Sequence, residues 1–188
     1  MPTHRKLTVE ELHRLDVDTF RRADKLPIVV VLDNVRSLHN VGSIFRTADA
    51  FGLSGLCLCG ITATPPSTEI HKTALGAEVS VAWRYFAHTV EAVAQLRREG
   101  YTIVCLEQVE GSVSLDRWRA TPSGRYALVV GHEVKGVDQT VVDFCDSAIE
   151  IPQYGTKHSL NVSVATGVCL WEMQRQLRGL RPLDAGIG

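Results

Sequence analysis

Three polar stretches of the chain directly follow short apolar runs, and these stretches hold the residues that could do chemistry. They span residues 33–52, 131–137 and 152–167. The apolar runs before them, at 26–32, 126–130 and 147–151, have the length and composition of buried strands. In open parallel sheets, ligands bind beyond the carboxyl ends of the strands. The sequence therefore predicts that the three stretches meet at one edge of a sheet and form a ligand site.

The common fingerprints of nucleotide and metal chemistry are missing from the sequence. No GxGxxG motif follows the first apolar run, and GHEVKG (131–136) lacks the spacing and the Ser or Thr of a phosphate-binding P-loop. His132 and Glu133 resemble the start of a zinc-protease HExxH motif, but position 136 is glycine. The five cysteines lie mostly within apolar runs and form no CxxC pair. We therefore expect no metal site, and an α/β enzyme that uses another nucleotide has no fingerprint to support it.

Helices predicted between the apolar runs would set the position of each polar stretch. The pattern predicts helices at 40–51, 68–75, 90–98, 138–144 and 160–177, and further strands at 55–58, 79–83 and 102–106. Strands separated by helices of about ten residues are typical of βαβ units. The predicted fold class is therefore α/β, with a mostly parallel sheet that has helices on both faces.

A charged extension precedes this alternating region. Thr8 and Glu11 match a capping box, so a helix is predicted from Thr8 to about Ala23. We divide the chain into an N-terminal helical extension (1–26), one α/β domain (27–180) and a C-terminal tail (181–188).

Composition limits the class of protein. The 188 residues, 45% hydrophobic and 22% charged, fit one soluble globular domain. No stretch approaches the roughly 20 apolar residues of a membrane span, and residues 1–25 lack the apolar core of a secretory signal, so the expected location is the cytoplasm. The net charge of −1 is not the strongly basic balance of many nucleic-acid binders. Composition therefore argues neither for nor against RNA.

The three polar stretches together resemble the three motifs of the SpoU, or TrmH, family of RNA ribose methyltransferases within the SPOUT class. The matching residues are Asn40, Gly42 and Arg46 in the first motif, Gly131, Glu133 and Gly136 in the second, and Ile151-Pro152 with Ser159-Leu160-Asn161 in the third. With KTALGAE (72–78) between them, the resemblance covers roughly residues 27–176. One departure is His132, where the family commonly has asparagine.

The resemblance implies both a function and a fold. It implies transfer of a methyl group from S-adenosylmethionine to a ribose 2′-hydroxyl of structured RNA, by a homodimer that completes its active site across the interface. It also implies a C-terminal segment threaded as a deep trefoil knot, which no pattern in the sequence shows. Backbone groups at Gly131, Ile151 and Leu160 would bind the cofactor. On the pattern alone, Gly131 would be a strand-end turn, and Ile151 and Leu160 would be core residues.

Arg46 is the residue that the resemblance assigns to the reacting 2′-hydroxyl. Helical spacing puts it about one and two-thirds turns after Asn40, so one loop and helix start could present both. The attacking hydroxyl must be in line with the S–CH₃ bond and must lose its proton, but a guanidinium is a poor base. We expect Arg46 to grip an RNA phosphate and make the hydroxyl more acidic, while phosphate or water takes the proton. The plain alternative is a solvent-exposed helix arginine.

Four further polar residues complete the predicted catalytic set. They are Asn40, Glu133, Ser159 and Asn161. Asn40 could cap the helix it opens, and Ser159 and Asn161 stand at the start of the last helix, where capping is the alternative to contact with RNA or cofactor. Glu133 is expected to orient loops by accepting bonds from backbone N–H groups.

The identity of the RNA is an expectation drawn from relatives. Family members often have an RNA-binding domain before the catalytic core, and here about 27 residues precede it, which favours tRNA as substrate with ribosomal RNA second. The alternative function is a catalytically silent RNA-binding relative with the same fold. The presence of the whole predicted catalytic set argues against that alternative.

Overall fold

Seven parallel strands form one sheet in the part of the chain that this computed structural model describes, residues 4–8 and 10–179. The strands are β1 (Leu26–Asp33), β2 (Leu53–Cys59), β3 (Trp83–Phe86), β4 (Thr102–Leu106), β5 (Val113–Ser114), β6 (Tyr126–Val130) and β7 (Ser147–Glu150). Their order in the sheet is β3-β2-β1-β6-β4-β7-β5, and each neighbouring pair is parallel. The predicted parallel α/β sheet is confirmed.

Helices cover both faces of this sheet. They are α1 (Val17–Arg22), α2 (Leu38–Phe51), α3 (Thr68–Ala74), α4 (Ala77–Ser80), α5 (Thr89–Arg98), α6 (Gln139–Val142) and α7 (Val162–Gly179). Alternate residues of β1 point to opposite faces, so Val30 belongs to the larger core, which includes residues of α2, α3 and α7. Val31 belongs to the second core, with residues of α5. Burial on both faces explains why β1 is a continuous apolar run.

The N-terminal extension is not the single helix that was predicted. The capping box does form, since the Thr8 N–H donates to Glu11 at 2.7 Å and the Glu11 N–H donates to the Thr8 hydroxyl at 3.4 Å. It caps only a 3₁₀ turn at Glu10–Leu12, because His13 adopts a positive φ of 45° that ends the turn. A new helix, α1, then starts with Asp16 as its N-cap.

The predicted strand at 79–83 is also wrong. Residues 77–80 form the short helix α4, and the strand begins later, at Trp83. The two-residue strand β5 at the sheet edge was not predicted, because two residues show no periodicity. Elsewhere the predicted elements are present with ends shifted by a few residues.

Several expectations about sites and segments can be compared with the described residues. All five cysteines are free thiols. Across residues 4–8 and 10–179, no group of three or more His, Cys, Asp or Glu side chains could hold a metal ion, and no helix is long and apolar enough to cross a bilayer. The predicted tail at 181–188 lies outside the described residues.

Candidate active site

A cavity of about 320 Å³ opens at the carboxyl ends of β4, β6 and β7. These three strands are neighbours in the sheet, so the loops that follow them meet at one edge. The loop after β6 contributes Gly131 to Gly136, and the segment after β7 contributes Ile151, Ser159 and Leu160. Two of the three predicted polar stretches therefore line one cavity.

The loop after β6 folds back tightly on itself beside the cavity. His132 and Gly136 exchange two backbone hydrogen bonds, of 3.0 and 2.8 Å. A Cβ at Gly131 would lie 2.1 Å from the backbone carbon of Gly136, closer than real Cβ contacts. Gly136 itself has a φ of +70°, a conformation that favours glycine. The two glycines are therefore required by close approach and by backbone conformation.

His132 stabilises the interior of this loop with its ring. The backbone N–H groups of Val134 and Lys135 donate to His132 Nδ1 over 3.0 and 3.4 Å. An asparagine oxygen can accept the same type of local bond in an Asx turn. Because Nδ1 accepts these bonds, the neutral ring has its proton on Nε2. The His132 ring thus makes the type of local bond that an asparagine side chain makes in an Asx turn.

Glu107, which the sequence analysis missed, holds the end of the same loop. It follows β4 directly, lines the cavity, and accepts the Val137 N–H at 2.9 Å through Oε2 and the Gln108 N–H at 3.0 Å through Oε1. The sequence does contain a signal for Glu107, because it is the first polar residue after the apolar run at 102–106.

Asp33 holds the next residue after the loop. Its side chain is 2% exposed, and its Oδ2 accepts the Asp138 N–H at 2.8 Å. Its other oxygen accepts the Thr89 hydroxyl at 2.6 Å, which links β1 to α5. Asp33 and Glu107 therefore fix the segment that leaves the loop after β6.

Glu133 connects this loop to the first polar stretch. Its carboxylate accepts the backbone N–H groups of Arg36 and Ser37 at 3.0 and 2.9 Å. Its Oε1 also accepts the side-chain amide of Asn40 at 2.9 Å. Partial burial raises the pKa of Glu133, but the Ser37 N–H and the Asn40 amide stabilise the charged form, and the pKa is lower than its ordinary value. Glu133 is therefore a charged acceptor that orients the loop before α2.

Asn40 connects the first stretch to the third. Its side chain is 8% exposed, and its Oδ1 accepts the Asn161 amide at 3.1 Å. Asn161 also caps α7, since its Oδ1 accepts the Ser163 N–H at 2.9 Å. Asn40 is not the N-cap of α2, because Ser37 fills that position and Asn40 lies in the first turn. All three predicted motifs are thereby joined by one chain of side-chain hydrogen bonds.

The remaining predicted site residues differ in their surroundings. Ser159 lines the cavity, is exposed, and makes no side-chain hydrogen bond within the described residues. Leu160 is 40% exposed and also lines the cavity, so it is not the core residue that the pattern alone suggested. Ile151 lines the cavity and also packs against the larger core.

Arg46 is the predicted residue that a single chain does not bring to this site. It lies on the exposed face of α2 and does not line the cavity. Asn40 points inward from the same helix, because six residues of helix rotate the side chain by roughly 240°. Asn40 is therefore hydrogen-bonded into the site, whereas Arg46 is exposed on another face of the helix, and its role at the reacting hydroxyl stays a prediction.

The cavity fits a ligand of the size and chemistry of S-adenosylmethionine. Its volume is at the lower end of the range of about 300–1,000 Å³ typical of small-molecule sites. Leu106, Val130, Ile151 and Leu160 provide apolar walls, and the loop 131–136 lines the same cavity in a turn so tight that a Cβ at Gly131 would collide with its backbone. Such a cradle suits the apolar face and polar edge of an adenine.

Comparison with known proteins identifies the same family as the three motifs. The sequence model of the SpoU rRNA methylase family matches residues 27–171. The 23S rRNA (guanosine-2′-O-)-methyltransferase RlmB of Vibrio vulnificus is 32% identical over 167 residues, which cover 89% of this chain and 66% of that protein.

Solved structures agree with the sequence relatives. The TrmH/SpoU tRNA modifying enzyme of A. aeolicus is similar with a TM-score of 0.75 and 30% identity, covering 87% of this chain and 84% of that chain. The AdoMet-bound rRNA methyltransferase of Sinorhizobium meliloti has a TM-score of 0.75 and 32% identity, covering 84% of this chain and 60% of that one. The chain spans about two thirds of the length of the curated relatives that it matches.

Proposed function

This chain belongs to the SpoU rRNA methylase family, and we propose that it transfers a methyl group from S-adenosylmethionine to a ribose 2′-hydroxyl of RNA. The observation that supports this most is the cavity itself. The second and third polar stretches line it, and Asn40 ties the first stretch to both through Glu133 and Asn161. The predicted site residues other than Arg46 therefore lie in or beside one cavity at the edge of the sheet, which supports the proposal.

The chain's own residues have binding and positioning roles in this proposal. S-adenosylmethionine, when bound, supplies the electrophilic methyl group on its sulfonium. Gly131, Ile151 and Leu160 would hold the cofactor, and Ser159 offers a free hydroxyl at the cavity wall. Glu107 and Glu133 keep the loop after β6 in place by accepting backbone N–H groups. A fixed geometry matters here because methyl transfer depends mainly on alignment.

Arg46 enters the proposal through a second copy of the chain. Because Arg46 faces solvent and does not line its own cavity, we propose a homodimer in which Arg46 of one copy serves the cavity of the other. There it would bind an RNA phosphate and make the nearby hydroxyl more acidic. Phosphate or water would then take the proton, since a guanidinium is a poor base.

An exposed apolar row on α7 supports the homodimer. Val164, Val168 and Trp171 are 53%, 42% and 58% exposed and share one helix face at spacings of four and three residues. Such a row is unfavourable in water and typical of a surface that another element covers. It starts one turn after Asn161, so an interface on this face would lie beside the site.

The RNA substrate that we propose first is ribosomal RNA. The curated relatives at about one-third identity are named as methyltransferases of 23S rRNA. This order of substrates is the reverse of the one expected in the sequence analysis, which placed tRNA first. Transfer RNA is the second candidate, because the A. aeolicus structure, which this chain covers to 84%, is named as a tRNA modifying enzyme.

The trefoil knot is also part of the proposal. The segment after β7 lines the cavity between neighbouring strand ends before it enters α7, the region where the family resemblance places the threaded segment.

The decisive experiment is transfer of labelled methyl from S-adenosylmethionine to purified 23S rRNA and to total tRNA, each taken from cells that lack this gene. We expect a 2′-O-methylnucleoside in the 23S rRNA that disappears with Arg46→Ala. The matched control is Arg98→Ala, which removes an exposed arginine from α5 on the other face of the sheet. Label in neither RNA despite cofactor binding would replace the proposal with the silent RNA-binding relative.

A further inference from the structure

The segment between β7 and α7 presents an exposed aromatic ring next to the cavity. Tyr154 is 96% exposed, and its ring hydroxyl makes no hydrogen bond within the described residues. One exposed tyrosine is ordinary on a protein surface. The position of this one, at the mouth of the proposed active site, is what gives it meaning.

Tyr154 lies at the rim of the cavity and not in its wall. Its neighbour Gln153 lines the cavity, as does His158 four residues later, whereas Tyr154 does not. The cavity interior is the place proposed for the cofactor. Because the Tyr154 side chain is exposed and does not line the cavity, it is accessible to a substrate beside the cavity and not to a cofactor inside it.

The segment that holds Tyr154 is tied to the rest of the site. The Gln108 side chain donates to the carbonyl of His158 at 3.1 Å, and Asn161 fixes the far end by capping α7. A ring held on such a segment loses less freedom when it binds than one on an untethered chain.

Three exposed basic residues lie on segments that belong to or contact the cavity lining. Lys157 lies in the same segment, Lys135 lines the cavity, and Arg36 precedes the helix that Glu133 anchors; all three are exposed. Three carboxylates, those of Glu107, Glu133 and Glu150, line the cavity itself, so the positive charge lies on these exposed basic side chains and not on the cavity as a whole. The segment after β7 therefore places an exposed aromatic ring, Tyr154, three residues from an exposed lysine, Lys157, and this pairing of ring and cation is found in proteins that bind single-stranded nucleic acids.

We propose that Tyr154 is a stacking platform for an unpaired nucleobase of the RNA, with Lys157 on the adjoining phosphate. This rests on the proposed function. A base inside a duplex already has neighbours on both faces, so a side chain can stack only on a base that is unpaired and exposed. What the inference adds is a residue: Tyr154 would recognise an unpaired base beside the methylated ribose.

The test measures binding and not methylation. A fluorescein-labelled single-stranded RNA of about 12 nucleotides is titrated with the full chain saturated with S-adenosylmethionine, and so is the same strand annealed to its complement. We expect Tyr154→Ala and Tyr154→Leu to weaken single-strand binding by about 5- to 100-fold, and Tyr154→Phe to stay within about twofold, because stacking needs the ring and not the hydroxyl. The duplex should bind more weakly and respond little to these variants.

Two controls separate this role from general damage. Tyr85→Ala removes an exposed tyrosine from edge strand β3 and should leave RNA binding unchanged. Lys157→Ala should reduce the slope of log K against log salt concentration by about one. Lys72→Ala, which removes a lysine paired with Glu69, should leave that slope unchanged. The dissociation constant for S-adenosylmethionine should be the same in every Tyr154 variant.

Several results would overturn the inference. They are single-strand binding by Tyr154→Ala within about twofold of the wild type, equal binding by the Leu and Phe variants, or a wild-type chain that binds no single strand. A change in cofactor affinity or oligomeric state with Tyr154→Ala would assign the ring to the cavity or to a second copy instead. Failure of the proposed function would give a different result. A chain that binds RNA through Tyr154 but transfers no methyl group would support the role of Tyr154 and contradict the proposed methyl transfer.

Discussion

The Asn161 side-chain amide donates to Asn40 Oδ1 over 3.1 Å, although 121 residues separate them in sequence. Asn40 in turn donates to Glu133 over 2.9 Å. A buried amide has one donor group and one acceptor oxygen, and here each has a partner from a different segment. Asn40 is thus the residue through which the first polar stretch is fixed to both of the others.

Asn40→Asp should damage the protein more than Asn40→Ala. Alanine removes both bonds, at a cost of about 1–3 kcal/mol. Aspartate would set a second carboxylate against Glu133, which is charged at neutral pH, so repulsion is added to the loss. Urea unfolding at pH 7 measures the free energy of unfolding of both variants. Gln139→Ala, which breaks an exposed contact to Asp143, is the control and should cost less than about 0.5 kcal/mol. Equal stability of the Asp and Ala variants would contradict the predicted repulsion.

Gly131→Ala should weaken cofactor binding strongly while the chain still folds. The added Cβ would lie 2.1 to 2.3 Å from backbone atoms of Gly136 and Val137, which no side-chain movement can relieve. The loop after β6 must shift, and the cavity wall shifts with it. Calorimetry should show an affinity for S-adenosylmethionine lower by at least about tenfold, or about 1.4 kcal/mol. Gly155→Ala, where a Cβ meets nothing within 4 Å, should bind normally. Unchanged affinity of Gly131→Ala would place the cofactor elsewhere.

The sequence predicted the helices and strands that depend on local patterns. It did not predict features that depend on contacts between segments distant in sequence. β4 and β6 have the predicted ends, since a continuous apolar run defines a doubly buried strand. Asn40 shows the limit. Its type and place were recognised, but its acceptor and donor partners come from other segments, and the cap of α2 went to Ser37. Arg46 shows another limit, because helical spacing predicts the direction of its side chain but not which groups that side chain meets.

His132→Asn should retain cofactor binding, and His132→Ala should weaken it. The asparagine oxygen can accept the local N–H bonds that His132 Nδ1 now accepts from Val134 and Lys135. Alanine leaves these donors without a partner, at about 1 kcal/mol for each lost bond, so the affinity for S-adenosylmethionine should fall by roughly fivefold or more. The control is His88→Ala, an exposed histidine whose side chain does not cap its helix. Similar losses in the Asn and Ala variants would show that the imidazole has a role beyond this loop.

Mixing two inactive variants should restore methyl transfer if Arg46 serves a second copy. In a heterodimer of Arg46→Ala with Gly131→Ala, one cavity is intact and is served by an intact Arg46. Random reassortment should therefore return roughly a quarter of the wild-type sites. Trp171→Glu, which places a charge in the exposed apolar row of α7, should shift sedimentation towards the monomer, whereas Ile61→Glu, at another exposed apolar residue, should not. A mixture that stays inactive although heterodimers form would return Arg46 to its own chain.

Glu133 should give the protein a stability that is lost in acid. Its pKa in the folded chain is lower than the ordinary value of 4.5, because the Ser37 N–H and the Asn40 amide outweigh the effect of burial. A lowered folded pKa means that this contribution is complete above about pH 4.5 and disappears as the pH falls through the folded value. Glu133→Gln keeps one acceptor oxygen and sets an amide against the Arg36 or Ser37 N–H, so it should cost about 1.5–3 kcal/mol at pH 7. Urea unfolding is measured from pH 7 to pH 3. The difference in free energy of unfolding between wild type and Glu133→Gln should become smaller below about pH 4.5. The control, Glu110→Gln at an exposed loop residue, should have the same free energy of unfolding as the wild type at every pH. If the difference in free energy of unfolding stays constant with pH, the charge of Glu133 is not what holds the loop before α2.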